Sequence, residues 1–297
     1  MTQSLNAVLI IDKPSGLTSH DVVHRVRRIL GLRSVGHLGT LDPMATGVLP
    51  LVLGNFTRLA QFYLHSEKSY EGVIRFGFAT DTYDAEGEPS SAERDISLSL
   101  DDVRELAAKF RGVIEQMPPP FSAKKINGVP AYKLARKKKE VPLKAVQVEV
   151  KELEIAQFEN SCAHFSSRVA SGTYLRSIAH DLGQAAGCGA HLQSLRRMAV
   201  AEFSLGDAHT LEALERATQN GEPVLDDIFI HPRKLIPLFP CVTATDEIAA
   251  RIRHGQPVNL PEFSRAKDVK VFCGQRELIA IAARVAGTLF RPRIVLM

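Results

Sequence analysis

Apolar and polar positions alternate along this chain with two different periods, and the switches between them mark its elements. AVLIIDKP, residues 7–14, is a short apolar run stopped by Pro14, which predicts a buried strand. Ser15-Gly16 follows as a turn, with Thr18 or Ser19 placed to cap a helix. Val22, Val23, Val26, Ile29 and Leu30 then recur at helical spacing, and Gly31 is a suitable stop. His24, Arg25, Arg27 and Arg28 fall on the other, basic side. Residues 70–80, YEGVIRFGFAT, predict a strand with Ile74, Phe76 and Phe78 on one face. Ser99 and Asp102 open a second helix, with Val103, Leu106, Ala107 and Phe110 inward and Gly112 at its end. Val146, Val148 and Val150 alternate strictly, as a half-buried strand does, and residues 161–170 read as its partner. Leu175, Ile178, Ala179 and Leu182 mark a further helix, closed by Gly187.

Strands and helices come in runs rather than in strict βαβ alternation. That predicts an α+β fold with a largely antiparallel sheet. Pro232, Pro237 and Pro240 break the chain near residue 240. Beyond them, a helix over 246–254 and short strands in VKVFCG, LIAIAARV and RIVLM predict a small β-rich unit packed on the main domain. The expected division is 1–239 and 240–297.

The 297 residues, 45% of them hydrophobic, suffice for one large domain and a small one. No run approaches the roughly 18 apolar residues that span a membrane. The N-terminus, MTQSLNAVLIIDKP, lacks a basic n-region and argues against a secretion signal. Cys162, Cys188, Cys241 and Cys273 are far apart and form no C-x-x-C. Neither a zinc site nor a disulfide framework is expected, and a reducing cytoplasm fits.

The net charge is only +4, but its distribution is uneven. Lys124, Lys125, Lys133, Arg136, Lys137, Lys138, Lys139 and Lys144 face the single acid Glu140 within residues 124–144, so the rest of the chain is net acidic. Pro118 to Pro120, Pro130 and Pro142 mark residues 118–144 as an excursion from the fold. Two readings are open: a solvated helix face or loop, or an element that contacts the phosphates of a nucleic acid.

Candidate chemistry concentrates in GHLGTLDPMATGVLP, residues 36–50. Asp42 stands before Pro43, which pushes its backbone toward an extended conformation. Gly36, Gly39 and Gly47 permit close approaches that a side chain would forbid. Asp42 is then either an Asx-type turn residue or an acid held rigidly as a nucleophile or base. No second carboxylate or histidine lies at ligand spacing, so no metal is expected. Neither G-x-G-x-x-G nor G-x-x-x-x-G-K-[ST] occurs, so the glycines do not form a nucleotide loop.

IDKPSGLTSHDVVHRVRR followed by GHLGTLDPMATGVLPLVLGNFTRLAQF closely resembles the bacterial TruB family of tRNA pseudouridine synthases. EKSYEGVIRFGFATDTYDAEGE looks like the family's tyrosine-bearing strand, and QMPPPFSAKKINGVPAYKLAR like its inserted RNA-gripping segment. VASGTYLRSIAHDLG and AHLQSLRRMAVAEF look like its later active-site motifs, all in family order over about 200 residues. GQRELIAIAARV and the final P-x-I-V-L look, more faintly, like a degenerate PUA-type RNA-binding domain.

The resemblance implies a pseudouridine synthase fold and a cofactor-free, metal-free isomerisation of a T-loop uridine of tRNA (position 55 of the tRNA). It implies that Asp42 is the nucleophile, that Tyr70 stacks on the target base, and that Arg176 pairs with Asp42. Tyr174 and Leu195 match uracil-pocket positions, His37 matches a histidine that holds the nucleotide outside its stack, and Lys13 is expected to help in the site. The target would be extruded from the tRNA elbow while the basic segment closes over the T-arm. A monomer without a membrane or an obligatory protein partner is expected.

Two departures from the family pattern, Leu38 in GHxGTLDP and Arg58 after GVLP, are expected to alter the fit near RNA. The Lys137–Lys139 run is also more basic than is typical. Two other functional classes remain: a guide-dependent synthase of the box H/ACA kind, which shares these motifs, and a non-catalytic RNA chaperone, against which the intact Asp42, Tyr70 and Arg176 set argues.

Overall fold

The computed structural model describes residues 5–122, 125–126, 129–130, 143–219 and 228–297, with the backbone alone at 125–126 and 129–130. The chain opens with β1 (Ala7–Lys13), α1 (Ser19–Leu30), β2 (Val35–His37) and β3 (Thr46–Leu53). A 3-10 helix over Gly54–Tyr63 leads to β4 (Lys68–Phe76), α2 (Leu100–Ala108) and β5 (Gly112–Gln116). The short pair β6 (Lys125–Ile126) and β7 (Val129–Pro130) precedes β8 (Val146–Glu159) and β9 (Cys162–Val169). There follow α3 (Leu175–Ala185), β10 (Ala190–Val200), β11 (Phe203–Ser204) and α4 (Leu211–Gln219). The last elements are β12 (Cys241–Ala244), α5 (Asp246–Arg253), β13 (Val258–Asn259), β14 (Asp268–Cys273), β15 (Glu277–Ala286) and β16 (Leu289–Val295).

The main sheet runs β1-β3-β10-β4-β9-β8-β5, with β2 added to β3 and β11 to β10. Its pairings are antiparallel except for a short parallel contact of Thr46–Gly47 with Arg196–Arg197, where β3 meets β10. The α+β class and the largely antiparallel sheet follow the expectation. Local signals explain the well-read elements. Thr18 and Asp21 cap α1 reciprocally, and Gly31 ends it in the left-handed region at φ 63°. Part of α1's basic face is occupied: Arg25 pairs with Glu212 and Glu215 of α4 at 3.2 and 3.0 Å.

Two boundaries differ from expectation. β4 stops at Phe76 because Gly77 turns the chain at φ 114°, so Phe78 leaves the strand and its ring packs against His191. Gly112, expected to close α2, instead starts β5 at φ 87°; α2 ends at Ala108, with Lys109 as its cap. β3 is masked in the sequence by its one proline and one glycine, Pro50 and Gly47. Its outer side pairs with β2 through Leu51–Leu53 and with β10 through Thr46–Gly47. Pro50 falls between those pairings, where its missing N–H costs no ladder bond, and its carbonyl still accepts from Leu38 N–H at 2.9 Å.

Both faces of the β1–β3 region are buried, with alternate residues serving separate cores. Leu9, Ile11, Leu49 and Leu51 face α1 and α4, while Val8, Ile10, Val48 and Val52 face the 3-10 helix. The latter core also takes in Phe272, Leu278, Ile281 and Ile294 from the second sheet, β12-β14-β15-β16-β13. Arg58 donates to the Val295 carbonyl and so ties the 3-10 helix to β16. This departure from the family pattern thus makes a contact within the protein, on a side chain that is otherwise exposed.

Candidate active site

The loop between β2 and β3 is framed by buried side chains rather than by its own residues. Ser19, the first residue of α1, both donates to Leu41 O (3.1 Å) and accepts from Leu41 N–H (2.7 Å). Lys13, wholly buried at the end of β1, donates from Nζ to the carbonyls of Pro14, Leu17 and Pro43. Arg197, also wholly buried, donates to the carbonyls of Val48, Thr40 and Gly39 at 2.7, 3.2 and 3.1 Å. Gly47 has to be glycine: it sits at φ 100°, and a Cβ there would lie 2.2 Å from the Arg197 carbonyl oxygen. This frame fixes the backbone from Gly39 to Val48 and leaves one acidic side chain pointing outward.

That side chain is Asp42. The turn after it is closed by its backbone, Ala45 N–H donating to Asp42 O at 3.1 Å, while its carboxylate accepts from Arg176 Nε at 2.8 Å. The carboxylate is 37% exposed and the guanidinium 6%. An accessible acid therefore rests on a buried, always-charged partner. Arg176 comes from the first turn of α3, whose start is set by Gln116 of β5. Gln116 accepts from Tyr174 N–H (2.8 Å) and donates to Tyr174 O (3.1 Å). The remaining guanidinium hydrogens go to Thr82 O (3.0 Å), to Phe121 O (2.9 Å) and toward Asp84 Oδ2 (3.5 Å). Arg176 thus joins the Asp42 loop, the 80–87 turn and the segment before residue 123.

A cleft of about 500 Å³ opens over Asp42. His37, Tyr70, Tyr174, Arg176 and Leu195 line it, as do Leu38, Lys68 and Leu64. The structure therefore brings together six of the seven residues expected at the site. Lys13 is the exception. It does not line the cleft; its ammonium donates to three carbonyls and holds the Asp42 loop from behind. Lys124, Lys133 and Arg136 to Lys139 lie outside the described residues, and Lys125 is described by its backbone alone.

Electrostatics divide the lining groups. Burial pushes the Tyr70 hydroxyl up, with Arg197 opposing, so it is a neutral donor at neutral pH. Burial also raises Tyr174. His37 is pushed down by burial and then by the Arg197 charge; its Nδ1 accepts from Gly39 N–H at 3.3 Å, which leaves the proton of the neutral ring on Nε2. Lys68 is lowered to about 8, first by burial and then by Arg197. Among the described residues no group of three metal-ligating side chains converges.

Residues 27–175 match the TruB family pseudouridylate synthase N-terminal domain, and residues 176–234 match the tRNA pseudouridylate synthase B C-terminal domain. A tRNA pseudouridine synthase B of Solibacter usitatus is 48% identical over 98% of this chain and all of its own length. The corresponding Pseudomonas aeruginosa protein is 43% identical over 88% of this chain and 86% of its own. The chain belongs to the TruB family of pseudouridylate synthases. It is accordingly an isomerase, a pseudouridine synthase. The fold agrees: the crystal structure of a Cbf5-Nop10-Gar1 complex contains a chain 26% identical, with a TM-score of 0.71, over 98% of this chain and 85% of that one. A chain in the archaeal box H/ACA sRNP Nop10-Cbf5 complex is 25% identical, with a TM-score of 0.70.

Three residues of this TruB site, Lys68, Asp84 and Arg197, have no role assigned from the sequence, and Ser19 has only that of a candidate helix cap. Each lies inside a stretch that resembles the family. Their signal was masked because a serine at a helix start, or an arginine in a strand, has a plain structural explanation until its partners are known.

Proposed function

We propose that this TruB-family enzyme converts the T-loop uridine at position 55 of tRNA to pseudouridine, unaided by a guide RNA or cofactor. The reading rests on one observation: the exposed Asp42 carboxylate, paired at 2.8 Å with buried Arg176, on the floor of a cleft walled by Tyr70. The isomerisation breaks the N1–C1′ bond, turns the base, joins C5 to C1′ and releases the C5 proton. Nothing is oxidised and no water is added. Asp42 acts at C1′ while the base is detached, and Arg176 keeps the carboxylate aimed. Tyr70 and Leu195 hold the uracil between them as it turns.

A uridine inside the tRNA elbow reaches Asp42 only when extruded. The neutral His37 ring at the cleft wall takes the place of the lost stacking. Residues 1–239 serve as the catalytic domain, with the basic segment within 118–144 gripping the T-arm. Residues 240–297 serve as a PUA-like RNA-binding domain, a division supported by the separate five-stranded sheet that begins at Cys241. The enzyme works as a cytoplasmic monomer.

The test is tritium release from a T-arm hairpin labelled at C5 of its uridines, with no guide RNA. One equivalent released by wild type and none by Asp42→Asn, with hairpin binding kept within a few-fold, is the expected outcome. Tight binding without release by wild type would favour a guide-dependent enzyme or a chaperone. Equal release by both proteins would make Asp42 a turn residue only.

A further inference from the structure

The 80–87 turn carries two of the groups that hold Arg176, yet its own attachment is unusual. Tyr83 stands between them, after Thr82 and before Asp84. Its backbone is in the left-handed region at φ 66°, which a bulky side chain adopts only when its surroundings force it. Two contacts do so. Its carbonyl accepts from Leu192 N–H of β10 at 3.0 Å, and Ala85 N–H returns to Leu192 O at 3.0 Å. On the other side its ring stacks on His180, with centroids 3.8 Å apart and planes 14° apart.

His180 lies four residues after Arg176 on α3, so both project from one face of the same helix. Its Nδ1 is buried and has no hydrogen-bond partner among the described residues, and the ring is held by stacking on Tyr83. The turn is further locked inside. Thr82 Oγ1 and Glu86 N–H donate to Asp84 Oδ1 at 2.6 and 3.1 Å, and Thr80 Oγ1 donates to Asp84 O at 2.7 Å. As a rigid unit, the turn touches α3 at two points one helical turn apart. At one point it holds the guanidinium; at the other it is pinned by a ring.

We propose that Tyr83 and His180 form a positioning pair for the isomerisation, setting the register of the 80–87 turn so that Thr82 O and Asp84 aim Arg176 at Asp42. Neither ring touches the cleft. Both act through Arg176, whose 2.8 Å pairing with Asp42 leaves little room, since a misplacement of about 1 Å is enough to slow a reaction. The inference rests on the reaction proposed above.

The informative variant is Tyr83→Gly. Glycine accepts a φ of 66° without strain, so it removes the ring while relieving the backbone, and the fold survives. A structural role alone would leave turnover intact in that variant. The pair predicts instead that kcat on T-arm RNA falls about tenfold in Tyr83→Gly and in His180→Ala, with RNA binding within about twofold of wild type and Tm close to it. His180→Phe, which restores a stacking surface, returns kcat to within about twofold. The double variant Tyr83→Gly/His180→Ala is no slower than either single one, since both remove the same contact. Unchanged kcat in Tyr83→Gly, loss through KM alone, or failure of His180→Phe to restore turnover would each overturn the pair. Absence of turnover in wild type would instead overturn the assigned substrate, which separates the two failures.

Discussion

Arg176 and Asp84 face each other at 3.5 Å with side chains only 6% and 5% exposed, next to a third charge, Asp42, that is open to the cleft. The buried guanidinium is shared by two carboxylates that do different work. Burial pushes Asp84 up from the ordinary carboxylate range, while Thr82 and Arg176 pull it back. Asp84→Asn keeps an oxygen for Thr82 and Glu86, removes the charge and sets an amide NH2 where Oδ2 met Arg176. The expected result is a folded protein whose kcat falls about tenfold, or about 1.4 kcal/mol in the barrier, with RNA affinity little changed. Single-turnover kinetics with saturating enzyme measure this directly. An unchanged rate would show that Asp42 and the two carbonyls orient Arg176 unaided.

Lys68 is the cation of the cleft most sensitive to alkali. Its ammonium loses a proton near pH 8, whereas His37 is already neutral above its lowered value and Tyr70 stays protonated. A phosphate bound at the mouth is attracted to the charged form, so kcat/KM declines as pH rises from 7 to 9. Lys68→Met lowers kcat/KM at pH 7 and flattens that limb. Lys13 is also brought to about 8 by burial. A limb that persists in Lys68→Met would therefore belong to Lys13.

The elements legible in the sequence were those whose local signals agree with their surroundings. The Val22/Val23/Val26 stripe of α1, with Thr18 and Gly31 at its ends, is one; the strict alternation of Val146, Val148 and Val150 is another. β3 was not legible, because Pro50 and Gly47 argue against a strand and only the split pairing with β2 and β10 makes room for them. The site divides in the same way. Asp42, Tyr70 and Arg176 stand out through family resemblance. The frame behind them consists of side chains bonded to distant carbonyls, as Arg197 is to Gly39 across 158 positions. No local pattern reports a partner that far away.

Lys13 illustrates the consequence for stability. Replacing it with methionine fills much the same space but leaves the carbonyls of Pro14, Leu17 and Pro43 without their donor in a fully buried position. Each carbonyl then loses a hydrogen bond that water cannot easily replace, while the cost of burying the ammonium is recovered. The net expectation is a destabilisation of about 2 kcal/mol. Urea unfolding of Lys13→Met should show a lower midpoint with an unchanged slope. Turnover falls as well, because the Pro43 carbonyl is the anchor next to Asp42. Full stability in this variant would mean that Gly16 N–H, which also donates to Pro43 O at 2.9 Å, holds the loop alone.

The basic segment answers to salt rather than to structure. Lys137, Lys138 and Lys139 sit in a stretch holding eight basic residues and one acid, in a chain that is otherwise net acidic. If these three lysines meet phosphates of the T-arm, each releases condensed counterions on binding and contributes about 0.7–0.9 to the slope of log K against log salt. Replacing all three with glutamine should weaken RNA binding at low salt and reduce the slope by about 2, while kcat at saturating RNA stays near wild type. The substitution leaves Asp42, Tyr70 and Arg176 unchanged, so the expected loss is confined to encounter and grip. Filter binding between 50 and 300 mM salt is sufficient. An unaltered slope would identify the run as a solvated stretch and move the phosphate contacts to the cleft wall and the second sheet.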